Sequence, residues 1–446
     1  MADNTATRTA REILGSSPTK SVAQEIFSEL YAGLQQDTES LSAIFTPQRA
    51  AQFLADLTNI QALLSQTDSY DQTIAKLDAQ IAKAEAVRDE LMAQLFEQIR
   101  PLERSYREVV LFFENTKAYD GKTRKPAELY LFNADPKASK DTRSTTIEAV
   151  ETFVKQRNDS FNFRKTICTL VVPGFIPNAI RDKYESVAYA YGLLMVTDTD
   201  DEKTFKTLDK QFRTGGKYEF LKRPEDKAAA DVATAGYLKF RDGYWFEKKD
   251  GRVDEGDDLF GPPSMALAGA MVRTDDTQGL GTGPIGFRYG RIVGTEGCRL
   301  ELLITEAETI SMDQQLVPVI RDADDHLCFY GCRTLADDPY GTYKFFTSYR
   351  ILRHLERMCR HYLLSVAGEP LNRDSVEARV EKPLDKLLQK AEEEGLITGY
   401  KMEIDKTFAK LQDGIVDITL EVAPTTPAET FILKIDQPKR DGGKKE

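Results

Sequence analysis

The side chains best suited to chemistry in this chain are its three histidines and three of its five cysteines. They fall in two groups: His326, Cys328 and Cys332, then His354, Cys359 and His361. Imidazole and thiolate are the usual ligands of zinc, and structural zinc sites present their cysteines on a tight knuckle. Here the first group lies in a segment with strand character and the second at helical spacing. Cys328 and Cys332 then share one face of a strand, which suits small buried hydrophobes. Packing is the reading these spacings favour. A metal-dependent enzyme centred on Cys328, Cys332 and the histidines is the alternative from another class.

Other candidate chemistry is weaker. Gly281-Thr-Gly283-Pro-Ile-Gly286 has the letters of the dinucleotide-binding turn G-x-G-x-x-G. That turn works only between a hydrophobic strand and a helix, so that backbone N–H groups meet the pyrophosphate. A polar run from Arg273 to Gln278 precedes these glycines, a strand-like run from Phe287 to Val293 follows, and Pro284 removes an N–H. The carboxylate runs at 198–202, 254–258 and 322–325 lack the ligand order of an EF-hand and read as solvated turns. The chain carries no Gly-x-Ser-x-Gly elbow, P-loop lysine motif or His-Glu-x-x-His pair. The expectation is a protein that is no enzyme and needs neither cofactor nor metal.

The elements that would position such residues divide the chain into 1–100, a helical N-terminal region; 101–199, the first part of a core; 200–290, an inserted subdomain; and 291–446, the second part of the core. In the first region Ser21-Val-Ala-Gln24 reads as a capping box for a helix with Val22, Ile26 and Leu30 on one face. A second helix starts at Thr46, and a third runs from about Tyr70 to Ile99, with Pro101 as its border. Short apolar runs at Glu128–Phe132 and Thr166–Val172 flank a helical stretch from Thr146 to Arg157, the order of an α/β layer. Val187–Val196 is apolar with no decisive period. Tyr237–Phe246 reads as a hairpin around Asp242-Gly243, with 247–258 as its charged tip. Leu300–Ile304 reads as a strand, and 316–320 with 327–331 as a strand pair. A long amphipathic helix at 343–366 and a helix at 381–394 precede three segments of period two: Tyr400/Met402/Ile404, Val416/Ile418/Leu420/Val422 and Phe431/Leu433/Ile435.

Composition excludes several partners. The chain has 446 residues, with 72 acidic against 60 basic side chains and a net charge of −12, a poor match for a nucleic-acid backbone. It contains no run of eighteen apolar residues, so no membrane insertion is expected, and Met1–Thr7 lacks the basic and apolar regions of a signal peptide. Irregularly spaced cysteines fit reduced thiols in a cytoplasm.

Three stretches, in order, resemble the large sheath subunit of type VI secretion systems, the TssC/VipB family. They are Leu102-Glu-Arg-Ser-Tyr-Arg107 with Phe112-Phe-Glu-Asn-Thr116 and Glu128–Asn133; Pro262-Pro-Ser264 with the small-residue helix ending Val272-Arg-Thr-Asp275 and the glycine loop; and Leu316–Ile320 with Leu327–Gly331. The resemblance covers about residue 95 to the C-terminus, and Tyr106 stands where the family usually has tryptophan. It implies an α/β fold: a contractile-sheath-like core with a mixed sheet flanked by helices, a helical N-terminal region and an inserted α+β subdomain.

It also implies partners. These are a small sheath subunit of the TssB/VipA kind, further copies of this chain, an inner tube of the Hcp kind, a baseplate and an AAA+ unfoldase. Inter-subunit strand exchange falls to Val416, Ile418, Leu420, Phe431, Leu433 and Ile435. Contact with the inner tube falls to Lys386, Lys390, Glu392, Glu393 and Glu394. A helix contact falls to Val22, Ile26 and Leu30. A phage-tail-like sheath made from one protein is the nearest alternative.

Overall fold

A computed structural model of the chain describes residues 51–53, 55, 56, 58, 70–118, 127–132, 140–160, 162, 166–224, 226–249, 252–337, 341, 343–369 and 372–428. Val22, Ile26 and Leu30 lie outside these residues, as do Phe431, Leu433 and Ile435 and the helix expected from Thr46. Two compact units emerge: residues 1–103 with 244–258, and residues 104–243 with 259–446.

In the second unit the centre is a five-stranded sheet in the order β1-β2-β3-β7-β8, from β1 (Thr169–Val171), β2 (Leu194–Asp198), β3 (Asp231–Ala235), β7 (Val317–Arg321) and β8 (Leu327–Phe329). The first four strands are parallel, and β8 returns antiparallel on β7 with Val319 opposite Phe329. Parallel strands are covered on both faces, so their sequences lose the in–out alternation. Every residue of β2 and of β3 is buried. Val187–Val196, ambiguous by period, splits here. Helix α3 (Asn178–Ala190), which follows α2 (Lys140–Asn158), ends before Gly192, and β2 takes the apolar remainder.

Helix α1 (Tyr70–Thr116) continues through Pro101, where the sequence predicted a border. A proline inside a helix removes the bond to the carbonyl four residues back and costs ~3 kcal/mol. Burial of Leu111 and Phe112 further along the same helix offsets that penalty. Three other expectations change. Glu128–Phe132 takes no regular secondary structure and enters no strand ladder among the described residues. Strand β4 (Leu238–Lys249) runs straight through Asp242-Gly243, and its neighbour in the sheet is β5 (Arg252–Gly261), so 247–249 and 252–258 are strand rather than tip. A second Asp-Gly, at 250–251, sits between the two strands, and the turn signal at 242–243 misplaced the reversal.

Leu300–Leu303 is not a strand. β6 (Thr295–Cys298) precedes it, and the next helix, Ile304–Met312, starts with Glu306 accepting the Leu303 N–H. The stretch 200–290 supplies β3 and α5 (Ser264–Thr277) to the core of the second unit. Helix α5 is buried from Ser264 to Met271, and a Cβ on its Gly269 would stand 2.5 Å from the Phe112 carbonyl oxygen. Only glycine lets these two helix backbones approach so closely.

The C-terminal part holds α8 (Phe346–Ser365), the helical run Arg373–Glu393, and a two-stranded antiparallel sheet of β9 (Ile397–Asp405) and β10 (Asp417–Pro424). Gly395, at φ +72°, ends the helix in the left-handed conformation that favours glycine.

Candidate functional site

The motif residues converge on one buried side chain. Arg273 projects from α5 with 2% of its surface exposed. Its guanidinium donates to the Asn115 carbonyl oxygen at 3.1 Å and to the carbonyl oxygens of Tyr289 and Arg291 at 3.2 and 2.7 Å. Asn115, wholly buried near the end of α1, donates to the Val293 carbonyl and accepts from the Val293 N–H at 3.0 Å. Planar guanidinium serves several carbonyl acceptors at once because its donors are fixed in a fork. Two turns of one motif and the end of another are thus bound into a single node. Asp275, two residues on, pairs with Arg350 of α8 and ties the node to the C-terminal helices. The glycine loop after α5 follows a helix rather than a strand, and its Gly286–Tyr289 forms a single helical turn. Its glycines serve this chain path, and no phosphate cradle results.

The strand-exchange candidates lie at the other end of the unit. In β10 alternate residues are exposed and half-buried. Val416 and Ile418 pack against Val376, Val380 and Leu384, while Leu420 packs against Ile351, Leu355 and Leu388. Their side chains therefore anchor β10 to its own helices. What remains free is backbone: β10 and β9 pair with each other, and neither outer edge has a strand partner among the described residues. The opposite face is polar, with Lys401 across from Glu421 and 2.7 Å from Glu403. An unpaired strand edge is a row of donors and acceptors ready for another strand.

The tube-contact candidates share the solvent side of α10 (Lys382–Glu393), whose inner side is Leu384, Leu388 and Ala391. Lys386, Lys390, Glu392, Glu393 and Glu394 are all exposed. Lys390 and Glu394 stand 3.6 Å apart, an exposed pair of the kind worth ~0.3–0.5 kcal/mol.

The cysteines and histidines fall in two separate elements, β8 with the loop around it and α8. Cys328 lies buried in β8 with its thiol pushed up to about 11 by burial, whereas β8 ends at Phe329 and Cys332, buried in the main core, does not share its strand as the spacing predicted. His354, Cys359 and His361 sit along α8, where burial and Arg357 hold the His354 imidazole below its ordinary range. Among the described residues no cluster of three or more His, Cys, Asp or Glu side chains could hold a metal ion.

Sequence reasoning missed a buried ionic network. Arg181 and Asp231, both 0% exposed, meet at 2.5 Å. Nearby, Arg223 holds Glu185 through both carboxylate oxygens at 2.7 Å and Asp182 at 2.5 Å. Burial, then the Asp231 charge, raise the Glu185 carboxyl to about 7. A second buried pair raises Glu108 to about 8, through burial first and the Asp198 charge second. Asp198 itself goes up to about 6 through burial, although it accepts the N–H groups of Gly174 and Ser264 at 2.8 and 2.9 Å. Nothing in the sequence marks these partners, because Arg181 and Asp231 stand 50 residues apart.

Residues 94–336 match the family described as type VI secretion system TssC/VipB, central domain. No curated protein matches the sequence. Among solved structures, the fold is similar to a chain of the anti-feeding prophage baseplate, with TM-score 0.53 and 17% identity, covering 74% of this chain and 79% of that one. It is also similar to the anti-feeding prophage helical sheath in its contracted state, with TM-score 0.52 and 17% identity, covering 74% and 81%. Among the described residues no helix is long and apolar enough to cross a membrane.

Proposed function

This chain belongs to the TssC/VipB family of type VI secretion systems, and we propose that it works as the large subunit of a contractile sheath in the cytoplasm. It assembles with a small sheath subunit and with copies of itself into stacked hexameric rings around an inner tube. The rings start on a baseplate, and their contraction drives the tube outward to deliver effectors. No catalytic residue takes part, because repacking between two arrangements of the same subunits suffices to do the work. Members of this family are structural proteins rather than enzymes.

The observation that carries this reading is the β9–β10 pair, packed on its own helices, whose two outer edges have no strand partner among the described residues. Such edges are a liability in a monomer and a joint in a polymer. We assign the segment with Phe431, Leu433 and Ile435 as the strand given to a neighbouring protomer, and the edges beside Val416, Ile418 and Leu420 as the receiving place. Thr425, whose N–H meets the Leu396 carbonyl oxygen at 3.0 Å, anchors the chain just after β10. The solvent side of α10, with Lys386, Lys390 and Glu392 to Glu394, faces the tube through exposed charges that salt screens. The N-terminal segment with Val22, Ile26 and Leu30 serves as the handle for an unfoldase that recycles the spent sheath.

Co-expression tests the assignment. With a small sheath subunit of the TssB/VipA kind, the chain is expected to co-purify as a stoichiometric complex and to form tubes. Tubes formed by this chain alone would instead mean a sheath made of one protein.

A further inference from the structure

The helical run beside β9 and β10 contains an irregular turn. Between α9 (Arg373–Val376) and α10 the residues Glu377–Glu381 form a π-turn, closed by the Lys382 N–H on the Glu377 carbonyl oxygen five residues back. Its cause stands just beyond it. Pro383 has no N–H to give, and a proline ring in a helix clashes with the carbonyl four residues back, here that of Arg379. A carbonyl freed in this way needs another donor. The Tyr362 hydroxyl of α8 donates to the Arg379 carbonyl oxygen at 2.8 Å, and the rest of Tyr362 packs on the cluster of Val376, Val380 and Leu384.

The turn decides which side of α10 faces inward. Val376, Val380, Leu384 and Leu388 are all buried, at intervals of four. Twelve residues separate Val376 from Leu388, which in a continuous α-helix sets the two side chains about 120° apart around the axis. A π-turn takes up one extra residue and brings them within about 20° of each other. Without it, the inward places of Leu384, Leu388 and Ala391 would pass to Pro383, Leu387 and the now exposed Lys390.

We propose that Tyr362 is the positioning residue of α10: its hydroxyl on the Arg379 carbonyl oxygen holds the π-turn, and the π-turn keeps Lys386, Lys390 and Glu392 to Glu394 on the solvent side. The same turn is tied on its other flank, where Lys406, just after β9, pairs with the Glu381 carboxylate. The purpose of this positioning rests on the reading of α10 as the tube-facing helix, whereas the positioning itself is measured on the full chain with no partner present.

Amide hydrogen exchange on Tyr362→Phe, Pro383→Ala and the double variant is the test. Tyr362→Phe keeps the ring and removes one donor, so the variant is expected to fold as the wild-type chain does. Exchange at 377–393 should then be about two- to ten-fold faster, with β2 and β3 unchanged. Pro383→Ala returns an N–H to the Arg379 carbonyl oxygen, so adding Tyr362→Phe to it should change those rates by less than about two-fold. Equal acceleration in both backgrounds would mean that Tyr362 serves packing alone and would overturn the proposal, as would no acceleration in either. Unchanged retention of an Hcp-like tube by Lys390→Ala would count against the tube contact and leave the positioning standing.

Discussion

The parallel sheet and the C-terminal module spend the same chemistry in opposite ways. In the sheet, β2 and β3 are buried on both faces, and even charged groups are inside: Arg181 against Asp231, Arg223 against Glu185, Arg273 against backbone carbonyls. In the module β9 and β10 are half-buried on one face, the Lys401–Glu403 pair is exposed, and the outer strand edges have no strand partner among the described residues. A buried charge whose partner is removed is costly, whereas an exposed pair is nearly neutral. The first region is therefore built to stay fixed, and the second is the one we propose is completed by another molecule.

The largest expected effect comes from the sheet. Asp231→Ala leaves the buried Arg181 guanidinium without its ion-pair partner and should destabilise the fold by ~3–5 kcal/mol in denaturant unfolding. A loss under ~1 kcal/mol would erase the contrast between the regions. In the module, Leu388→Ala removes a side chain with 0% exposure and should cost ~2–4 kcal/mol. Its signature differs, because hydrogen exchange should quicken at 397–424 while β2 and β3 stay protected. Equal quickening in both regions would show that they unfold as one.

Acidity separates them further. Glu108, Glu185 and Asp198 are raised to about 8, 7 and 6, whereas unfolded carboxylates titrate at roughly 4. The folded sheet then holds protons more tightly than the unfolded chain. That contribution is complete below the unfolded value and is lost as pH rises through 6 to 8. In the module, the Thr407 N–H holds Asp405 low, and Lys401 does the same for Glu403, so the sign there reverses and solvent screens the effect. Raising the pH from about 5 to about 8 should lower the denaturant midpoint of the sheet and leave that of the module in place; Glu185→Gln should flatten the profile. The smallest effect is Lys390→Ala, within ~0.5 kcal/mol on stability, yet measurable as weaker, more salt-sensitive retention of the inner tube.

The two regions were also unequally legible in the sequence. Period-two patterning at Tyr400/Met402/Ile404 and Val416/Ile418/Leu420 found β9 and β10, because one face is wet and the other packs. Burial on both faces erased that signal from β2, whose residues merged with the end of α3. Turn chemistry misled at Asp242-Gly243, since a dipeptide able to reverse the chain need not do so inside a paired strand. Arg273 stood out as part of a motif, but its acceptors on Asn115, Tyr289 and Arg291 are backbone groups that carry no residue signature. Arg181 and Asp231 gave no sign, because only the fold brings them together. Glu128–Phe132 read as a strand from its apolar, β-leaning residues, yet it joins no ladder among the described residues, so local preference alone did not decide its structure.

The claim that matters most is that the module is completed by another protomer. Its direct test is to delete Phe431–Glu446, co-express the shortened chain with the small sheath subunit, and compare negative-stain electron micrographs with those of the full-length pair. Hollow tubes from the full-length pair, and none from a shortened chain that still melts with an intact core, are the predicted result. Well-formed tubes from the shortened chain would contradict strand exchange at β9 and β10.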